Sequence, residues 1–158
     1  NHEYFLPELV VAGEVMYGGL EVVKPQLEGR KEKGSGVIVA GTVEGDIHDI
    51  GKNIVAFMLD ANGFEVLDIG IDAPPRKFVQ AIQTFRPQVV ALSGFLTLAF
   101  DAMKQTVQAI QDAGLRDQVR IMIGGGQMND QIRAYADADG YGKDAMAAVT
   151  LARGWTGD

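Results

Sequence analysis

Val37-Ile38-Val39-Ala40-Gly41-Thr42-Val43-Glu44-Gly45-Asp46-Ile47-His48-Asp49-Ile50-Gly51-Lys52-Asn53 runs from an apolar, β-branched segment through a loop rich in glycine and carboxylate into an amphipathic stretch. Short β-branched runs and longer amphipathic segments then alternate to the end of the chain. The candidate strands are Val37–Gly41, Glu65–Ile69, Val89–Ser93, Arg120–Ile123 and a weak one at Gly140–Tyr141. The candidate helices are Lys52–Asn62, Pro75–Phe85, Ala99–Ala113, Met128–Ala136 and Ala145–Arg153. Gly63, Pro87 and Gly114 stand where helices should end.

Strand–helix alternation of this kind predicts an α/β fold, a parallel sheet with helices on both faces. Five strands make a flavodoxin-like (Rossmann-type), doubly wound order the expected topology. In such sheets ligands bind beyond the carboxyl ends of the strands, around the switch point. Four unusual loops fall on that edge: Asp46 to Gly51, Ser93-Gly94-Phe95-Leu96-Thr97, Gly124-Gly125-Gly126, and Tyr141-Gly142-Lys143-Asp144.

Upstream, Leu6, Leu9, Val10, Met16, Leu20 and Val23 recur at helical spacing, with Pro7 suited to the first turn and Pro25 to the end. Gly29 to Gly36, with three glycines and four charges, reads as a linker. The chain opens without Met, which leads to the expectation of a fragment or a processed end.

A length of 158 residues with 47% hydrophobic content suits one compact domain with a short appendage. The apolar runs fall far short of the roughly 20 residues that span a bilayer, so no membrane role is expected. No charged n-region followed by an apolar h-region is seen at its start, so no secretory signal is expected. Cysteine is absent, which excludes disulfides, thiolate-bound zinc, iron–sulfur clusters and a cysteine nucleophile, and is compatible with a cytoplasmic setting. A formal charge of −7 argues against nucleic acid, which needs a basic stripe. The one basic cluster, Arg30-Lys31-Glu32-Lys33, is interrupted by Glu32 and reads as a solvated linker.

His48 is the interior histidine, two residues after Asp46 and beside Asp49. Read alone it is either a loop histidine bonded to a neighbouring carboxylate or a metal ligand whose second ring nitrogen is held by that carboxylate. A mononuclear zinc site is not expected, since zinc needs three or four N, S or O ligands and the chain has no second interior histidine and no cysteine. A metal at His48 must therefore bring its other ligands with it, as a macrocycle does. Gly124-Gly125-Gly126 is either a strand-to-helix turn or a place where a ligand approaches backbone. It lacks the Lys-Ser/Thr of a phosphate-binding loop, and Gly41-Thr42-Val43-Glu44-Gly45 lacks the dinucleotide fingerprint. Ser93 and Thr97 either satisfy local backbone groups or line a slot for a heterocycle. Tyr141 is a strand-end aromatic, and the methionines fill core gaps.

Together these residues resemble the cobalamin-binding domain family, and within it the corrinoid proteins of methyltransferase systems. The resemblance lies in Gly45-Asp46-Ile47-His48-Asp49-Ile50-Gly51-Lys52-Asn53-Ile54-Val55, Ser93-Gly94-Phe95-Leu96-Thr97, Ile123-Gly124-Gly125 and Ala138-Asp139-Gly140-Tyr141. Phe5-Leu6-Pro7-Glu8 is similar to the start of the last helix of the cap bundle that precedes such domains. The resemblance implies residues 1–28 as a remnant of that helical cap, 29–36 as a linker and 37–158 as the cobalamin-binding domain. It implies a cobamide bound base-off and His-on, with His48 as the lower axial ligand to cobalt and Asp46 holding the other imidazole nitrogen. Ile47 and Ile50 would pack on the corrin or the loop, with Asp49 beside them. Gly51 would clear space for the nucleotide tail. Ser93, Phe95, Leu96, Thr97, Gly124, Gly125, Gly126, Tyr141 and Gly142 would surround that tail.

Two positions depart from the family pattern. Phe95 replaces the usual leucine, and its ring is expected to reshape the tail channel or select a lower-ligand base. Ala99 stands where some members carry a hydroxyl that extends the Asp–His relay. The function implied is a methyl carrier, with methyl-cobamide as its working form. It would work between a donor-specific methyltransferase and an acceptor methyltransferase, serviced by a corrinoid reductive activase. Alone it would have little turnover. The competing readings are the cobalamin-binding subunit of an adenosylcobalamin-dependent mutase, a cobamide-responsive regulator and a generic phosphate binder.

Overall fold

The computed structural model describes residues 11, 14, 15, 18, 19, 21–23 and 34–157. The chain divides into two compact units, Asn1–Lys31 and Glu32–Asp158. In the first, Val11, Glu14, Val15, Gly18, Gly19, Glu21, Val22 and Val23 are helical and exposed. The Phe5–Glu8 motif, both flanking prolines, the remaining apolar positions of that helix and residues 29–33 of the linker lie outside the described residues.

The second unit is built on a parallel five-stranded sheet: β1 (Val37–Thr42), β2 (Glu65–Asp68), β3 (Val89–Ser93), β4 (Arg120–Gly124) and β5 (Gly140–Gly142), in the order β2-β1-β3-β4-β5. This is the flavodoxin-like order expected, with its switch point between β1 and β3. The helices are α1 (Ile50–Ala61), α2 (Pro75–Phe85), α3 (Leu98–Asp112), α4 (Asp130–Ala136) and α5 (Ala145–Thr156), with a 3-10 turn at Arg116–Gln118.

Local chemistry explains the ends of these elements. Helix α1 starts two residues before the expected Lys52, because Asp49 ends the loop and Gly51 is taken into the first turn. Helix α4 starts two residues later than expected, because the Asn129 side chain accepts the N–H groups of Gln131 and Ile132 and so caps it there. Helix α5 runs past Arg153 to Thr156, where Gly157 at φ 84° closes it. Arg86 ends α2 in the left-handed region, just before Pro87.

Because strand side chains alternate between faces, each strand supplies two cores. Val39, Val90, Leu92, Ile121 and Ile123 pack with Phe78, Ile82, Met103, Val107 and Ile110 of α2 and α3. Ile38, Val89 and Met122 pack with Leu59, Phe64, Ala148, Val149 and Ala152 on the α1/α5 side. On that second face the side chains shrink toward the carboxyl ends: Ile38 gives way to Ala40, Val89 to Ala91 and Ser93, and Met122 to Gly124. One register row crosses the sheet there, pairing Thr42 with Ser93, Ser93 with Gly124 and Gly124 with Gly142. A sheet face this poor in side chains cannot be filled by α1 and α5, and a cleft is left. Among the described residues, no helix is long and apolar enough to cross a membrane.

Candidate functional site

The loop after β1 is tied down at every turn. Gly45, at φ 80°, donates its N–H to Asp72 Oδ1 at 2.8 Å, and Asp72 N–H returns to Asp46 O at 3.0 Å. The Thr42 hydroxyl, fully buried, donates to His48 O at 2.9 Å. Asp46 is 1% exposed and accepts four N–H groups. Its Oδ1 takes the His48 N–H at 2.9 Å and His48 Nδ1 at 2.7 Å. Its Oδ2 takes the N–H groups of Phe95 at 2.6 Å and Leu96 at 3.0 Å. Burial alone would raise the Asp46 carboxyl, but the N–H groups of Leu96, Phe95 and His48, with the His48 ring, outweigh it and hold the pKa at about 2.

An ionised carboxylate can only accept, so His48 Nδ1 carries the proton. In the neutral imidazole, that leaves Nε2 with its lone pair to offer a ligand. The His48 side chain is 49% exposed, so the nitrogen is accessible. The carboxylate is also complete without a hydroxyl at position 99. Two backbone N–H groups occupy its second oxygen, and Ala99 is buried where a Cβ on Gly94 would lie 2.5 Å from it.

Beside this pair is the cleft on the α1/α5 face, about 330 Å³ in volume. Gly51, Ser93, Gly124, Gly125, Gly126, Tyr141 and Gly142 border it, with Lys52, Lys143, Asp144 and Ala148. Phe95, Leu96 and Thr97 do not. Thr97 is exposed and opens α3. The Phe95 ring lies over His48, with centroids 4.6 Å apart, and against Gly126, rather than along the cleft. Ile47 and Ile50 are exposed beside the histidine, at 69% and 42%. Asp49 ends the loop, and its carboxylate accepts from Asn53 Nδ2 at 3.3 Å.

The glycine triplet divides by cause. A Cβ on Gly125, at φ 137°, would come within 1.8 Å of Gly94 O, and one on Gly126 within 2.7 Å of the Phe95 ring. Both are required by packing inside the protein. Gly124 is open, its nearest contact being Gly142 O at 3.5 Å. Thr42, Asp72 and Lys52 were given no role by sequence reasoning. Thr42 was legible as a hydroxyl ending an apolar strand. Lys52, 6% exposed and paired with Asp68 and Asn53, had only its place in the motif to mark it.

Among the described residues no three His, Cys, Asp or Glu side chains converge as a metal site. One buttressed imidazole beside a glycine-walled cleft suits a metal that arrives with its own equatorial ligands and a tail to bury. The B12 binding domain model matches residues 36–150.

The chain belongs to the B12-binding domain family. Its cofactor class is therefore a cobamide, and the residues present fit one. The chain is 42% identical over 151 residues to trimethylamine corrinoid protein 1 of Methanosarcina acetivorans, covering 94% of this chain and 70% of that one. It is similar to the structure of the Methanosarcina barkeri monomethylamine corrinoid protein, with a TM-score of 0.85 and 32% identity over 95% of this chain and 71% of that one. It also resembles a chain of the methanol:cobalamin methyltransferase complex of Methanosarcina barkeri, with a TM-score of 0.74 and 31% identity over 98% of this chain and 58% of that one. These relatives are the methyltransferase corrinoid proteins to which the motifs pointed.

Proposed function

We propose that this B12-binding protein is the methyl-carrying component of a methyltransferase system, holding its cobamide base-off with His48 on cobalt. The observation that carries the reading is the His48–Asp46 pair, on the same carboxyl edge of the sheet as the Ser93, Gly124 and Gly142 that border the cleft. When bound, the cobamide supplies a cobalt centre that exchanges a methyl group between donor and acceptor. The chain supplies everything around that chemistry. Asp46 keeps the proton on Nδ1 and makes Nε2 the basic nitrogen. Thr42 fixes the loop that carries it. The cleft shelters the nucleotide tail against Ser93, Gly124 and Gly142. The exposed Ile47 and Ile50 offer an apolar seat for the corrin.

Residues 37–158 hold every member of this site, with residues 1–28 read as part of a helical cap and 29–36 as the link. The protein would act in the cytoplasm with a donor-specific methyltransferase, an acceptor methyltransferase and a reductive activase. Identity of 40–42% to trimethylamine and dimethylamine corrinoid proteins over most of the chain supports a methylated amine as donor. The test loads the protein with hydroxocobalamin, reduces it and mixes it with trimethylamine-, monomethylamine- or methanol-specific methyltransferases and their labelled substrates. Label retained by the protein with an amine system and released to a thiol acceptor is the expected result. Retention with none of them would overturn the carrier reading.

A further inference from the structure

Resting on the reading of His48 as axial ligand, we propose that Phe95 is a positioning residue that fixes the plane of the His48 imidazole. Asp46 holds that ring at one atom, Nδ1, 2.7 Å from Oδ1. One hydrogen bond at the rim sets where the ring sits more firmly than how it tilts, since bent hydrogen bonds weaken gradually. The Phe95 ring removes that freedom. The two centroids are 4.6 Å apart and the planes are inclined by 31°, within the range of a favourable aromatic pair.

Phe95 is itself held from two directions. Its N–H donates to Asp46 Oδ2 at 2.6 Å, so one carboxylate grips both members of the stack. Its ring fills the space before Gly126, where a Cβ would lie 2.7 Å from Cε2. Burial does not hold it there, because Phe95 stays 44% exposed. The Nε2 lone pair lies in the imidazole plane, so the tilt of the ring sets the direction in which it meets a metal. A ring already tilted correctly loses less freedom on ligation. Leucine at this position would give apolar bulk without a face to stack. Phe95 thus acts on the axial ligand, while the cleft that takes the tail is bordered by other residues.

The test compares the wild-type protein with Phe95→Leu, Phe95→Tyr and His48→Ala. In the cofactor-free protein, proton NMR reads the His48 ring, which is one of only two histidines in the chain. The ring current of Phe95 should shift its signals, Phe95→Tyr should keep that shift and Phe95→Leu should lose it. With hydroxocobalamin as probe, Phe95→Leu should weaken binding roughly two- to tenfold, the worth of one aromatic pair, and Phe95→Tyr should restore it. If His48→Ala loses the histidine-ligated spectrum while Phe95→Leu keeps both the ring shifts and the affinity, the proposal is overturned and the axial reading stands. If His48→Ala leaves the spectrum unchanged, the axial reading fails and the proposal with it.

Discussion

A buried carboxylate, Asp46, and a half-buried one, Asp139, do the same structural work at opposite ends of the sheet. Asp46 gathers four N–H groups beside the site. Asp139, at the amino-terminal edge, accepts the Ile121 N–H at 2.7 Å and pairs with Arg116 and Arg120. Burial would raise the Asp139 carboxyl, but the Ile121 N–H and the Arg116 and Arg120 guanidiniums outweigh it and lower the pKa below 3.8. A carboxyl whose pKa falls on folding stabilises the protein above its unfolded value and loses that contribution as pH drops through the folded one. Asp139→Asn should therefore cost about 1–3 kcal/mol at neutral pH, the range for a charge-assisted bond. Urea melts across pH should show this gap closing below pH 3.8. A gap unchanged down to pH 2 would show that the charge contributes nothing.

At the scale of elements, the strand-to-helix loops carry the site, and their glycines are not equivalent. Gly125→Ala drives a Cβ into Gly94 O from a left-handed backbone and should cost more than about 3 kcal/mol or prevent folding. Gly124→Ala meets only an ordinary contact, so its melting should stay within about 1 kcal/mol of wild type while cobamide affinity falls. Thermal melts and cofactor titration on the same pair separate the two causes. Equal stability loss in both would contradict the assignment. The strands, all five helices and the four loops were legible, because alternation, helical spacing and the Asp46-x-His48 spacing are local signals. The two-residue shifts of α1 and α4 came from a glycine admitted to a first turn and from an asparagine cap. The stacking of Phe95 on His48 and the dependence of Gly126 on Phe95 were not legible, since both join residues far apart in sequence.

Across the whole molecule, the doubly wound order brings the ends of β1, β3, β4 and β5 into one row, with the imidazole at the end of β1 and small residues at the others. The same face is packed by large side chains below and left open above, so the packed core and the open cleft are divided along the strands. In the proposed holoprotein His48 is the cobalt ligand and the cofactor's own base lies in the cleft. The most direct measurement is the electron paramagnetic resonance spectrum of the Co(II) form, in protein grown with ¹⁵N-histidine and loaded with unlabelled cobalamin. With His48 on cobalt, the axial nitrogen splitting should change from a triplet to a doublet on labelling. A triplet that persists would place the cofactor's own base on cobalt and rule out His48 as the axial ligand.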